Sequence, residues 1–296
     1  MSHIATLISN PKNPAVTRAA LGAAAALLPG AEDAVILDGQ IAAEIPFTPP
    51  SGTGAPALAE SLRTALGAID IVIQPAANRK KRLFVADMDS TMIEQECVDE
   101  LAAFVGLKEH VARITERAMH GEIDFPPALR ERVALLKDLS ATVIDDVLRK
   151  HINLMPGGRT LVMTMKKHGA YTCLVSGGFT LFTGKIAAQI GFDEHRGNRL
   201  VIESGKLAGK VEEPILGSEA KLAALKELAE KQNIDLRDTL AVGDGANDLP
   251  MLRAAGLGVA YRAKPAVAAE AAARIEHGDL TALLYLQGYR REEFAE

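Results

Sequence analysis

The chain has 296 residues, 48% hydrophobic and 24% charged, which excludes whole-chain disorder and leaves room for about two domains. With 33 Lys+Arg against 38 Asp+Glu the formal charge is −5, which argues against a dedicated nucleic-acid binder. Two cysteines cannot build a disulfide framework or a four-cysteine zinc site, so a reducing, cytoplasmic location is expected, and no run of about 18 apolar residues marks a membrane span.

In chain order, His3–Ile8 reads as a strand and Ala15–Leu28 as a helix. Lys12 and Arg18 lend that apolar run the outline of a signal peptide. Asn10, Pro11, Asn13 and Pro14 interrupt the approach and the run is alanine-rich, so a helix is the expectation. Asp33–Leu37 and Ile41–Phe47 read as strands around a turn at Asp38-Gly39. Thr48–Gly54 reads as a loop, Ala57–Leu66 as a helix and Asp70–Gln74 as a strand. The order β-α-β-β-α-β is that of a ferredoxin-like module. The charged stretch Pro75–Arg82 reads as a solvated linker and as the boundary between a domain at 1–78 and a second at 79–296.

Beyond the boundary, Leu83–Ala86, Tyr171–Val175 and Thr239–Val242 are short and apolar, as strands buried on both faces of a parallel sheet should be. Val98–Val105, Leu107–His120, Phe125–Lys137 and Ala141–Lys150 have helical periodicity. They far exceed the dozen or so residues a crossover needs. An inserted helical cap over about 95–153 is the expectation.

Ligands bind at the carboxyl ends of such strands, so three loops are the places to look. Asp87-Met88-Asp89-Ser90-Thr91 offers two carboxylates. It is not a calcium loop, because Met92 and Val98 stand where that loop needs Gly and Glu. Ser176-Gly177-Gly178-Phe179 offers a hydroxyl and approachable backbone N–H groups to a phosphate. It is not a Walker A loop: Phe179 lies five residues before Gly184, and Ile186 follows Lys185. Gly243-Asp244-Gly245-Ala246-Asn247-Asp248 is not a dinucleotide fingerprint, since Asp248 replaces the third glycine. Its carboxylates suit Mg²⁺. Taken singly these elements read more readily as turns, helix caps and, for Lys221, a solvated side chain.

Together, and in this chain order, they resemble the haloacid dehalogenase-like phosphohydrolases, and within them the phosphoserine-cleaving branch. The resemblance rests on Asp87–Thr91, Glu96, Leu129–Lys137 with Arg132, Ser176–Phe179, Lys221 and Gly243–Asp248, and covers about residues 82–287. Met88 departs from the Phe of many relatives, at a position that alternation points away from the chemistry.

The resemblance implies an α/β fold: a Rossmann-like parallel sheet with the inserted cap, plus an N-terminal ferredoxin-like (ACT-like) α+β domain. It implies Mg²⁺-dependent hydrolysis of O-phospho-L-serine, the last step of serine biosynthesis, with neither nucleic acid nor membrane as partner. Asp87 would be the nucleophile and Asp89 the general acid and then base. Mg²⁺ would be held by Asp87, Asp244 and the Asp89 carbonyl, with Asp248 in support. Ser176, Gly177, Lys221 and Asn247 would hold phosphate, Glu96 the substrate ammonium and Arg132 its carboxylate. Phe125 and Met119 are candidates for the pocket wall.

Three alternatives carry over: a relative acting on another phosphomonoester or transferring the phosphoryl to an alcohol, a receiver phosphorylated without turnover, and an amino-acid sensor in the N-terminal domain, which could also form a homodimer. A cysteine phosphatase is excluded, because neither Cys97 nor Cys173 is followed at the sixth position by Arg. Both cysteines are expected in the core.

Overall fold

The computed structural model describes residues 2–49, 54–120 and 122–295. The middle of the loop expected at Thr48–Gly54 therefore lies outside the described residues, as does the Met119 side chain.

The N-terminal elements are β1 (His3–Ile8), α1 (Arg18–Leu27), β2 (Val35–Asp38), β3 (Ala42–Phe47), α2 (Ala55–Leu66) and β4 (Asp70–Pro75). They form an antiparallel sheet in the order β2-β3-β1-β4, the arrangement that the ferredoxin-like reading requires. α1 begins later than expected, at Arg18, because Thr17 caps it by accepting from the Ala20 N–H. Strand alternation splits the sheet's side chains. Ala5, Leu7, Ala43, Ile45, Phe47 and Ile71 form one core with α1 and α2, whereas Ile8, Ala42 and Val72 belong to the core of the following domain.

That domain opens with β5 (Leu83–Ala86). The cap helices α3 (Cys97–Ala103), α4 (Lys108–Met119), α5 (Phe125–Ala134) and α6 (Val143–Lys150) follow. Then come α7 (Gly158–Lys167), β6 (Tyr171–Phe179), α8 (Thr180–Ile190), β7 (Glu194–Asn198), the hairpin β8 (Leu200–Glu203) and β9 (Lys206–Val211), and α9 (Ser218–Lys231). β10 (Thr239–Gly243), α10 (Leu249–Ala254), β11 (Leu257–Tyr261), α11 (Pro265–Glu270), β12 (Ala273–Ile275) and α12 (Ala282–Leu286) complete it.

Six parallel strands run in the order β12-β11-β10-β5-β6-β7. Leu83 and Val85 face one layer with Leu225 and Met251. Phe84 and Ala86 face the other, with Leu161, Phe182 and Leu283. The three expected strands are the central ones, so their loops meet at one edge. β6 runs on to Phe179, with a register shift between Val175 and Phe179. The expected phosphate loop is thus the irregular end of a strand.

The stretch Pro75–Arg82 is mostly exposed, as expected, but is tied down along its length and buries Lys81. Arg79 pairs with Glu44, and Lys80 sits 4.2 Å over the Tyr289 ring. Lys81 is buried and donates to the carbonyls of Asn78 (2.9 Å) and Arg237 (2.6 Å), burial lowering its pKa. The second sheet face packs on α12. Gln74 Nε2 donates to Leu286 O at 2.6 Å, and Tyr285 donates to Asp38. The Asp70 carboxylate accepts from the N–H groups of Glu276 (2.8 Å), His277 (3.1 Å) and Gly278 (2.7 Å). Among the described residues, no helix is long and apolar enough to cross a membrane.

Candidate active site

Asp87 is the first residue past β5 and is buried. Its Oδ1 accepts from the Met88 N–H at 2.8 Å and lies 2.7 Å from Lys221 Nζ. Lys221 stands in the first turns of α9, as expected, but is 2% exposed rather than solvated. Its ammonium also meets Asp248 Oδ1 at 2.6 Å. Burial disfavours the lysine's charge, yet the Asp248 and Asp87 carboxylates outweigh it and raise the pKa.

Asp248 is fully buried, and its Oδ2 accepts from the N–H groups of Asp244 (3.2 Å) and Gly245 (3.0 Å). This is why residue 243 is glycine: a Cβ there would stand 2.3 Å from the Asp248 Cγ. Asp244 accepts from Thr91 Oγ1 at 2.9 Å. Carboxylate oxygens of Asp87, Asp244 and Asp248 all lie within 4.8 Å of one another. Burial, reinforced by Asp248, raises Asp244 to about 7, and the same two causes push Asp87 well above the usual carboxylate range. Several buried carboxylates against one ammonium leave surplus negative charge, and hard oxygen donors suit a divalent cation such as Mg²⁺.

The Asp89 carboxylate stands outside that trio. Its Oδ1 accepts from the Cys97 N–H at 3.1 Å, and its Oδ2 lies 3.4 Å from Ser176 Oγ. Burial raises its pKa, against those bonds and the Lys221 charge. The acid therefore sits where the core meets the first cap helix.

Asp87, Asp89, Glu96, Phe125, Arg132, Ser176, Gly177 and Asn247 line one cavity. The structure thus gathers both expected cap residues and residues of all three loops around a single space, while Lys221, Asp244 and Asp248 are not part of its lining. Glu96 accepts from Ser90 Oγ at 2.7 Å, and Ser90 adopts φ +56° to reach it. Burial and repulsion from Asp89 push Glu96 well above its usual pKa. Such a carboxyl gains from a cationic partner. Arg132, the residue that the resemblance assigns to the substrate carboxylate, is 4% exposed. Burial lowers its pKa, and Glu96 and Asp99 oppose this.

The sequence reading missed how Arg132 is held. Its Nη1 donates to Thr115 Oγ1 (3.0 Å), which in turn donates to Asp99 (2.9 Å), while Nε donates to Ala128 O (3.1 Å). Thr115 also lines the cavity. A Thr four residues from Val111 on an amphipathic helix carries no signal of its own, because its partner lies on another helix. Thr91, beside Asp244, carries no mark in the sequence beyond its place in the Asp87–Thr91 motif. Cys97 and Cys173 are buried and unpaired, as expected.

A family model of haloacid dehalogenase-like hydrolases matches residues 84–253. The chain belongs to that family. Among curated proteins, the chain is 43% identical over 242 residues to the phosphoserine phosphatase of Streptomyces coelicolor. The match covers 79% of this chain but 59% of that protein, so the chain spans about three fifths of that relative's length. Among solved structures, a family hydrolase from Salmonella enterica serovar Typhi superposes with a TM-score of 0.82 at 30% identity, covering 96% of this chain and 98% of that one. A phospho-aspartyl intermediate analogue of phosphoserine phosphatase matches at 40% identity and TM-score 0.67, over 70% of this chain and 98% of that chain.

Proposed function

We propose that this hydrolase is a Mg²⁺-dependent phosphoserine phosphatase, converting O-phospho-L-serine to L-serine and phosphate in the final step of serine biosynthesis. One observation carries the reading. The cavity that holds Asp87 and Asp89 is also walled by Glu96 and Arg132, which supply an anion and a cation for the two charges of an amino acid. The named relatives support the same substrate.

In this reading Asp87 attacks phosphorus. Its two described hydrogen-bond partners, the Met88 N–H and Lys221, both meet Oδ1, which leaves Oδ2 to form the new bond. Asp89, whose pKa burial raises, gives its proton to the departing serine oxygen. It then takes a proton from the water that cleaves the aspartyl-phosphate. Lys221, Ser176 and the Gly177 N–H meet the phosphoryl oxygens, with Asn247 beside them. Asp87 and Asp244 would hold Mg²⁺ with the Asp89 carbonyl, and Asp248 would keep Lys221 and the loop in place. Bound there, Mg²⁺ neutralises charge on the phosphoryl group.

We divide the chain accordingly into a ferredoxin-like domain at 1–78 and a phosphatase domain at 79–296, with the cap at about 95–153. Buried, unpaired cysteines fit a reducing, cytoplasmic setting. Homodimerisation through the N-terminal domain is the quaternary state we assign, to be tested by sedimentation velocity; a monomer at all concentrations would discard it.

The deciding experiment measures phosphate release from O-phospho-L-serine against a panel of phosphomonoesters, with Mg²⁺ or chelator. Wild type should prefer phosphoserine, and Asp87→Asn should be inactive. Arg132→Ala should raise KM for phosphoserine about 10–100-fold, the worth of a buried charged hydrogen bond. Turnover of other monoesters alone would discard the substrate and keep the catalytic loops.

A further inference from the structure

The peptide group joining Gly177 to Gly178 is fixed at both ends. Its carbonyl accepts from Asn198 Nδ2 at 2.7 Å, and its N–H donates to Ser176 Oγ at 2.8 Å. Asn198 is the last residue of β7 and 2% exposed. The rest of its amide engages Leu216 alone, with Nδ2 donating to Leu216 O at 3.1 Å and Oδ1 accepting from Leu216 N at 2.7 Å. One side chain thus pairs with a backbone as a neighbouring strand would.

Leu216 leads directly into α9. Gly217 is the N-cap of that helix, and the Lys221 N–H donates to Gly217 O at 3.3 Å. The residue before Asn198 is matched to the same contact. A Cβ on Gly197 would stand 3.1 Å from Gly178 O and 3.3 Å from Thr180 N. Gly197 admits the loop closely and Asn198 fastens it.

We propose that Asn198 is a positioning residue for the phosphate site. Its amide ties the Ser176–Gly178 strand end to the entry of α9, and so sets the spacing between the Gly177 N–H and the Lys221 ammonium. The proposal rests on the phosphatase reading for the identity of the anion. Donors fixed in advance need no reorganisation as charge develops. A misplacement of about 1 Å costs on the order of 100-fold in rate. Among the described residues, the Asn198 side chain hydrogen-bonds to Gly177 and Leu216 and to neither the nucleophile nor the cap.

The test compares Asn198→Ala and Asn198→Asp with wild type in the full chain. Asn198→Asp keeps the volume and the acceptor for Leu216 N but removes both donors. Calorimetry with inorganic phosphate and Mg²⁺ should show affinity weakened about 10–100-fold in both variants, while L-serine affinity holds, and kcat should fall by about 100-fold. A lowered Tm with unchanged phosphate affinity and kcat would reduce Asn198 to a structural amide and overturn the proposal. If wild type does not hydrolyse phosphoserine, the substrate reading fails, while the phosphate comparison still decides the role of Asn198. Should both variants fail to fold, Gly197→Ala presses the loop without altering the amide. It should weaken phosphate in the same direction, and unchanged affinity there overturns the proposal.

Discussion

The Phe125 ring lies so close to the α-carbon of Gly177 that a Cβ at position 177 would stand 2.6 Å from its Cζ. The cap and the Ser176–Gly178 strand end therefore meet at a glycine that leaves no space for any side chain. Gly177→Ala must displace either the ring or the loop, and kcat/KM should fall about 100-fold or more. Adding Phe125→Leu should recover part of the loss, because the two positions share one contact. Strictly additive losses would show that the overlap is not the cause.

Lys221 faces Asp87 and Asp248 from a position 2% exposed to solvent. Lys221→Met leaves buried carboxylates without their cation, at a cost of about 3–5 kcal/mol. Denaturant unfolding should show that deficit in chelator and a smaller one with Mg²⁺, since a bound cation replaces part of the missing charge. Activity should be lost in both conditions. An equal deficit with and without Mg²⁺ would count against a cation site at the acidic trio.

Asp244, raised to about 7 by burial and Asp248, gives the proposed cation requirement a pH dependence. The raised pKa means that its ionised form disappears as pH falls through about 7, and a proton then competes with the metal. Half-saturating Mg²⁺ should rise by up to about tenfold per pH unit below neutrality and level off above it. Activity titrations with Mg²⁺ across that range would read this directly; a flat dependence would remove Asp244 from the ligand set.

Asp70 reaches from the N-terminal sheet to three consecutive N–H groups at Glu276, His277 and Gly278. Asp70→Asn replaces charge-assisted bonds by weaker ones and turns an amide donor toward N–H groups. Stability should fall by about 1.5–3 kcal/mol with kcat unchanged. A fall in kcat at full stability would instead make the domain junction part of the catalytic apparatus.

The sequence made the site legible because its chemistry is local. Asp87 and Asp89, Ser176 and Gly177, and Asp244 and Asp248 each follow an apolar strand, and parallel pairing brings the strand ends together. The N-terminal strand order was readable for the same reason, through alternation and turn residues. What stayed hidden depends on distant partners. β7 is polar (Glu194–Asn198) and sits at the sheet edge, β12 is three residues long, and the β8–β9 hairpin has Ile202 exposed. Lys81 reads as solvated in the sequence because only the fold supplies the carbonyls that accept from it, and the Thr115 hydroxyl that holds Arg132 is hidden for the same reason.

The sheet face covered by α12 also imposes an order in time. Gln74 and its partner Leu286 are 212 residues apart, so at about 5–20 residues per second the first strands emerge from the ribosome on the order of 10–40 s before their cover. During that interval the sheet face that carries Ile8, Ala42 and Val72 lacks the cover that α12 supplies. The module made first is completed last. Ribosome-bound chains halted before α12 should bind a hydrophobic dye that released full-length protein does not.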